Sequence, residues 1–377
     1  MREALAERLL AQVMSWKPED VADERPLLQA MAALKYDEYQ QFAPGMRFVE
    51  SLARWLQQFS SEEERRAAYD FVKYRLVFFS AAEIVHLVTI AYPDYIRPLL
   101  IRRAAESIGV AERYVTRVAN SKEYRALCRQ CLFLGLSDGA RIDTFRRATN
   151  RELSHEQIWQ TYEMSPGKGD SILSRLRSDL VPVTGKNAEA DASLFRMVFL
   201  LDDFSGSGRT YLRKENERKP LEGKIAWFWD QLLSQDTLGK LVNLKDLHVG
   251  IVLYIATQHA VNHLQPLLKE LSEDRPGVRF DIYVVHLLDD KVRLNAQRDA
   301  AFLELAEKHY DERAQDEHTL KGGTKDLKQG FAGCGLPVVL SHNTPNNSMF
   351  LLWADPDSEP LQVRGLFPRI NRHRSES

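Results

Sequence analysis

Residues 199–210 read FLLDDFSGSGRT. The apolar run MVFLL, residues 197–201, is a strand that leads straight into two adjacent carboxylates, Asp202 and Asp203. A loop of small residues follows, Ser205-Gly206-Ser207-Gly208, and it ends in Arg209-Thr210. Paired carboxylates accept hydrogen bonds from the two ring hydroxyls of a sugar. Glycines let the backbone approach a phosphate closely, and Ser207 and Thr210 add hydroxyl donors to the amides. Each part therefore suits one portion of a ribose 5-phosphate. The order strand, acid, glycine loop places the ligand beyond the carboxyl end of a strand, where open α/β sheets bind ligands.

Competing readings of these residues fare worse. A Walker A loop needs a lysine after its last glycine, and here Arg209 follows Gly208. A dinucleotide fingerprint needs a further glycine where Tyr211 stands. LDDFSGSGRT also looks like the glycine-rich LDPFxGSGTT motif of DNA methyltransferases, but their catalytic Pro-Pro pair is absent from the chain. The plain structural alternative is a turn whose Asp pair caps the next helix.

The chain has 377 residues and a net charge of −2, which suits two domains and supplies no global field for nucleic acid or membrane. No apolar run reaches transmembrane length, and the start MREALAERLL is amphipathic and acid-containing rather than signal-like. No membrane partner is expected. Cys128, Cys131 and Cys334 read as buried free thiols of a reducing cytosol; the lone CxxC has too few partners for structural zinc, and no metal ligand is assigned. A cytoplasmic protein is expected.

Up to about Arg125 the pattern is helical. Phe48, Val49, Leu52, Trp55, Leu56 and Phe59 share one apolar face, and Ser61-to-Glu64 and Ser80-to-Glu83 are capping boxes. Pro93 and Pro98 interrupt the pattern. From about Ala126 short apolar runs alternate with helical pieces: CLFLGL, FRMVFLL, VGIVLYIA, FDIYVVHL, LPVVLSH and SMFLLW. Ser154–Glu163, Lys224–Leu233 and Val292–Tyr310 read as helices. The expectation is an α/β protein: a helical domain over 1–125, then a domain over 126–377 with a mainly parallel, Rossmann-like sheet. The closing VVLSH–NTPNNS–MFLLW unit reads as an antiparallel hairpin at one edge, and the tail RINRHRSES as frayed.

Three further constellations stand out. Ser137-Asp138-Gly139-Ala140-Arg141 is a second strand-to-loop junction, with a glycine and an arginine available for anionic oxygen, and Arg146 and Arg147 behind them. The polar loop HNTPNNS offers His342, Asn343, Asn346 and Asn347 to a nucleobase edge or to its own internal locking. A basic bias through Arg102, Arg103, Arg113 and Arg117, with Tyr114 and Tyr124 interleaved, suits nucleic-acid phosphates or a solvated face equally.

The acid–glycine loop resembles the PRPP loop of the type I phosphoribosyltransferases, Asp202 and Asp203 falling on the acidic pair and Ser207, Gly208, Arg209 and Thr210 on the phosphate cradle. Together with SDGARID, HNTPNNSMFLLW and the N-terminal helices, it resembles a phosphoribosyltransferase-like branch encoded in bacterial anti-phage conflict clusters, some beside retron reverse transcriptases. That resemblance implies a winged-helix-like N-terminal part and binding of PRPP or a nucleotide. It also implies Mg²⁺ on the pyrophosphate, and Asp138, Gly139 and Arg141 as the pyrophosphate loop. Asp202 and Asp203 would hold the sugar during chemistry at the anomeric carbon, with a nucleic acid or a co-encoded defence protein as partner. Two departures count. Gly206 stands where purine-salvage members carry a base-handling aspartate, and the charged excursion YLRKENERKPLEGK follows Thr210 where they begin a helix. An enzyme and a non-catalytic nucleotide sensor both remain open.

Overall fold

A computed structural model describes residues 3–161, 166–184, 193–214, 220–234, 238–315, 319, 321–355 and 362–369. Among them the strands are β1 (Val77–Phe79), β2 (Cys131–Gly135), β3 (Ile158–Gln160), β4 (Met197–Ser205), β5 (Leu247–Thr257), β6 (Val278–Leu288) and β7 (Val338–Leu340). The chain divides into two compact units, Met1–Glu83 with Asp289–Ser377, and Ile84–Leu288.

The second unit is built on a five-stranded sheet in the order β3-β2-β4-β5-β6, every pairing parallel. Parallel strands covered by helices on both faces carry unbroken apolar runs. LHVGIVLYIAT does so, and all eleven residues of β5 are buried, whereas the edge strand β6 is partly open. Phe133 of β2 stacks on Phe199 of β4 with ring centroids 5.1 Å apart. Gly250 of β5 makes room for Phe199, since a Cβ there would come within 2.7 Å of its ring.

Chain order reverses at the sheet's centre. From β2 the chain moves outward to β3, then returns past β2 to β4 and continues the other way. Connections diverge at such a point and leave a crevice at the carboxyl ends of the two strands. Here those are β2 and β4, whose loops carry Ser137–Arg141 and Asp202–Thr210.

The first unit is mostly helical, with Glu3–Val13, Pro18–Leu34, Phe48–Leu56, Glu62–Tyr74 and Ala300–Lys308 around a core that includes Trp55, Phe302 and Phe350. All six apolar residues of the Phe48–Phe59 face are buried. The Ser80–Glu83 capping box is reciprocal: Glu83 N donates to Ser80 Oγ at 3.1 Å, and Ser80 N to the Glu83 carboxylate at 2.7 Å. Pro93 and Pro98 do not break the helix that follows. It runs from Ala81 to Ser107 because a π-helical turn, Ala91–Ile96, absorbs Pro93, which lacks an N–H. By length and composition this stretch could cross a bilayer, yet Ile84, Val88, Tyr92, Ile96, Leu100 and Ile101 are buried as core.

Two other expectations are corrected. Ser154–Glu163 does not begin as a long helix: Ser154 caps a single 3₁₀ turn, and Ile158–Gln160 forms the edge strand β3. The closing hairpin is absent. β7 pairs in parallel with β1, and Phe350–Trp353 is a short helix. Four consecutive buried apolar residues fit a core helix turn as well as a strand, and periodicity cannot separate them. The excursion after Thr210 is described except for residues 215–219, and the tail beyond 369 lies outside the described residues.

Gly250→Ala should lower the unfolding midpoint in urea by the equivalent of about 1–3 kcal/mol, because Phe199 must leave its place on Phe133. A change within experimental error would show that the sheet face is not packed in this way.

Candidate functional site

Asp202 joins the two loops of the crevice. It is 1% exposed, and four donors approach its two oxygens. Ser137 Oγ donates to Oδ1, and Asp203 N reaches the same oxygen at 3.2 Å. Lys224 Nζ lies 2.6 Å from Oδ2, and the Tyr211 hydroxyl 2.8 Å away, sharing its proton with the Phe204 carbonyl. An ionised carboxylate has about four acceptor positions. All are used inside the protein. Burial raises the Asp202 carboxyl above its ordinary value, against the pull of the Lys224 ammonium and the Ser137 hydroxyl.

Lys224 reaches this place because of the charged excursion. Arg213 and Glu222 close its base with two backbone hydrogen bonds of 2.9 Å and a side-chain ion pair of 2.5 Å. Gly223 then turns at φ 117°, and the helix Lys224–Leu233 starts with Lys224 N and Ile225 N donating to the Thr210 and Tyr211 carbonyls. The sequence reading placed only a charged excursion here. Its described flanks instead bring a lysine back to the acid pair.

Asp203 has a different environment. It is only partly buried, and its carboxylate lies directly over Gly139, where an added Cβ would stand 2.2 Å from Oδ2. Gly139 is therefore the residue that lets the two loops close. The Ser137–Arg141 loop is also held from below by Tyr254 of β5, whose hydroxyl donates to the Ala140 carbonyl at 2.8 Å. Arg141 adopts a left-handed backbone, φ 46° and ψ 48°, which is costly for a residue with a Cβ. Its Nε is buried without a hydrogen-bond partner. Arg141 therefore combines a strained backbone with a buried guanidinium donor that has no acceptor among the described residues. Asp138 is exposed beside it, while Arg146 is committed to Asp143 and to the Ile158 carbonyl.

The glycine loop is rigidly seated. Thr257, at the end of β5, donates from Oγ1 to the Gly206 carbonyl at 2.7 Å and accepts from Ala260 N at 3.0 Å. Gly208 has φ 75°, and a Cβ there would meet Leu264, His263 and the Ala260 carbonyl at 2.9–3.0 Å. Ser205 to Gly208 are buried, Arg209 is partly exposed and Thr210 exposed. Ser205 Oγ is buried without a partner, and Ser207 Oγ accepts from Arg209 N at 3.3 Å.

Other residues singled out from sequence fall elsewhere. His342, Asn343, Asn346 and Asn347 belong to the first unit, and their loop is locked internally. Asn347 Nδ2 donates to the Phe331 carbonyl at 3.1 Å, the Asn346 carbonyl accepts from Phe331 N at 2.7 Å, and Asn343 Oδ1 from Thr344 N at 3.0 Å. Arg102 pairs with Glu112 at 3.0 Å, while Arg113 and Arg117 are exposed. Sequence reasoning missed Tyr211, Lys224, Tyr254 and Thr257, which carry no motif of their own and act through the fold.

Lys224→Met leaves the Asp202 charge buried without its counter-ion. Lys224 is itself 32% exposed, so the loss should be moderate, about 2–3 kcal/mol at neutral pH. A carboxyl whose folded pKa is raised gives stability below its unfolded value and loses it as pH rises through the folded one. The deficit should therefore shrink as pH falls toward about 4, and adding Asp202→Asn should recover most of it. A deficit independent of pH would contradict the buried pair.

Strand order, crevice position and the paired loops agree with one wider comparison. Neither a curated protein nor a solved structure matches the chain. A family model does, over residues 52–369, which takes in the whole of the second unit with every loop of the crevice and part of the first. The chain belongs to the PRTase-CE family, a phosphoribosyltransferase-like family.

Proposed function

We propose that the crevice between β2 and β4 binds PRPP or a related ribose 5-phosphate nucleotide. The observation that carries this is the division of labour in the acid pair. Asp202 is buried and saturated by its own protein, and Asp203, partly exposed and accepting from Phe204 N at 2.9 Å, is the carboxylate assigned to the ribose hydroxyls. The glycine loop, buried from Ser205 to Gly208, presents backbone amides to the 5-phosphate, and Ser205 Oγ stands partnerless behind it. Arg141 and the amides near Gly139 take the pyrophosphate or its equivalent.

Among the described residues no group of three or more His, Cys, Asp or Glu converges on a point. Mg²⁺ needs no such cluster, being held by one or two carboxylates with waters and phosphate oxygens. Asp138 and Asp203 would hold it, and it would neutralise charge on the departing pyrophosphate.

At the anomeric carbon the protein's part is electrostatic. The Asp203 carboxylate lies beside a sugar that becomes positively charged as the leaving group departs, and Arg141 stabilises the charge that leaves. Gly206 offers no side chain to take a proton from an incoming base, so a 6-oxopurine acceptor handled in the salvage manner does not fit. That same absence favours a second reading, a nucleotide sensor that binds without turnover. The resemblance to conflict-cluster proteins supports a defence setting for either, with a nucleic acid or a co-encoded protein as the regulating partner.

Calorimetry should show PRPP binding with Mg²⁺, weakened roughly 10–100-fold in Asp203→Ala. Gly139→Ala should weaken it comparably by displacing that carboxylate. Equal affinity in wild type and Asp203→Ala, or no binding, would overturn the assignment. Pyrophosphate released from PRPP selects the enzyme; tight binding without release selects the sensor.

A further inference from the structure

The opposite edge of the same sheet carries a second feature that the phosphoribosyl reading does not use. A groove of about 1020 Å³ lies where the parallel strands begin, lined by residues that precede or open β2, β4, β5 and β6 and by the helix Arg97–Ser107. Its size is at the upper end of small-ligand pockets. Four arginines face it: Arg102, Arg103, Arg196 and Arg279.

Three of them are each paired with one carboxylate. Arg102 pairs with Glu112 at 3.0 Å, Arg196 with Asp246, and Arg279 with Asp281 at 3.2 Å. Arg103 is not. It is partly buried and has no hydrogen bond or ion pair among the described residues. Burial and then the charge of Arg279 hold its guanidinium below the ordinary arginine value. Behind it His248 is 1% exposed, its Nδ1 without a partner and its Nε2 2.7 Å from Asp281. Burial, Arg103 and Arg279 push this imidazole down to about 3, so it stays neutral and adds no charge of its own. A partly buried cation next to a like charge is a cost to the empty protein, and an anion between the two would lower it.

We infer that this groove is a second ligand site, which takes the phosphate group of a small phosphorylated molecule between Arg103 and Arg279. Leu99, Ala104, Ala126 and Leu127 provide an apolar surface for the remainder of the ligand. An extended nucleic-acid strand fits less well. Glu106, Glu123 and Asp246 interrupt the basic lining, and Arg113 and Arg117 are not part of it. The site does not rest on the phosphoribosyl reading, since it lies at the amino ends of the strands and that crevice at their carboxyl ends.

Arginine modification by phenylglyoxal, mapped by peptide mass spectrometry, tests it with AMP and inorganic pyrophosphate as probes. At saturating AMP, Arg103 and Arg279 should be modified at least about fivefold more slowly, in wild type and in Asp203→Ala alike. Arg103→Gln should abolish the protection at Arg279, while leaving the melting temperature without ligand unchanged or higher. Three results would each overturn the proposal: no protection by either probe at millimolar concentration; protection only by a single-stranded oligonucleotide; or a melting temperature several degrees lower for ligand-free Arg103→Gln, which would make Arg103 a structural residue. The Asp203→Ala arm separates this outcome from failure of the other site.

Discussion

The carboxylate of Asp202 is buried at the meeting point of four chain segments: the loop after β2 through Ser137, its own strand, the turn at Tyr211, and the helix that begins at Lys224. A buried carboxylate is expensive unless each lone pair has a donor and a counter-charge stands nearby. Meeting that requirement fixes the rest. Ser137 must approach β4, which draws the first loop over the acid pair. Gly139 then has to be glycine, because Asp203 occupies the space of its Cβ. Lys224 has to return after the excursion, which needs the Arg213–Glu222 closure and the turn at Gly223. The crevice is thus shaped by internal electrostatics before any ligand enters.

The two ends of the sheet differ in the same currency of charge. At the carboxyl ends the acid pair Asp202 and Asp203 stands with the glycine loop and the Ser137–Arg141 loop. At the amino ends, guanidinium groups crowd together with one left unpaired among the described residues. The parallel topology makes this segregation possible, since every strand presents its start on one side and its end on the other.

Much of this was legible in the sequence, and the residues show why. The apolar runs of β2, β4, β5 and β6 announced themselves because strands covered on both faces are continuously hydrophobic. LDDFSGSGRT showed where β4 ends, because a run of glycines and small hydroxyl residues after two acids does not continue a buried strand. The different fates of Asp202 and Asp203 were not legible. They depend on Lys224 and Tyr211, which reach the acid through a turn whose geometry no local pattern encodes. The loop His342–Ser348 stayed open between two readings for a related reason: side chains that lock a turn and side chains that bind a base are the same residues. MFLLW was read as a strand because four buried apolar residues have no period to display. The parallel pairing of Val77–Phe79 with Val338–Leu340 joins segments far apart in the chain, beyond any pattern of neighbours.

A structure with ribose 5-phosphate and Mg²⁺ bound tests the central claim most directly. The account requires the 5-phosphate on the amides of Gly206 to Arg209 and the ring hydroxyls on Asp203. Asp202 must keep its bonds to Ser137, Tyr211 and Lys224. An Asp202 carboxylate released from Lys224 and turned onto the sugar, or a ligand lying outside the crevice, would contradict it.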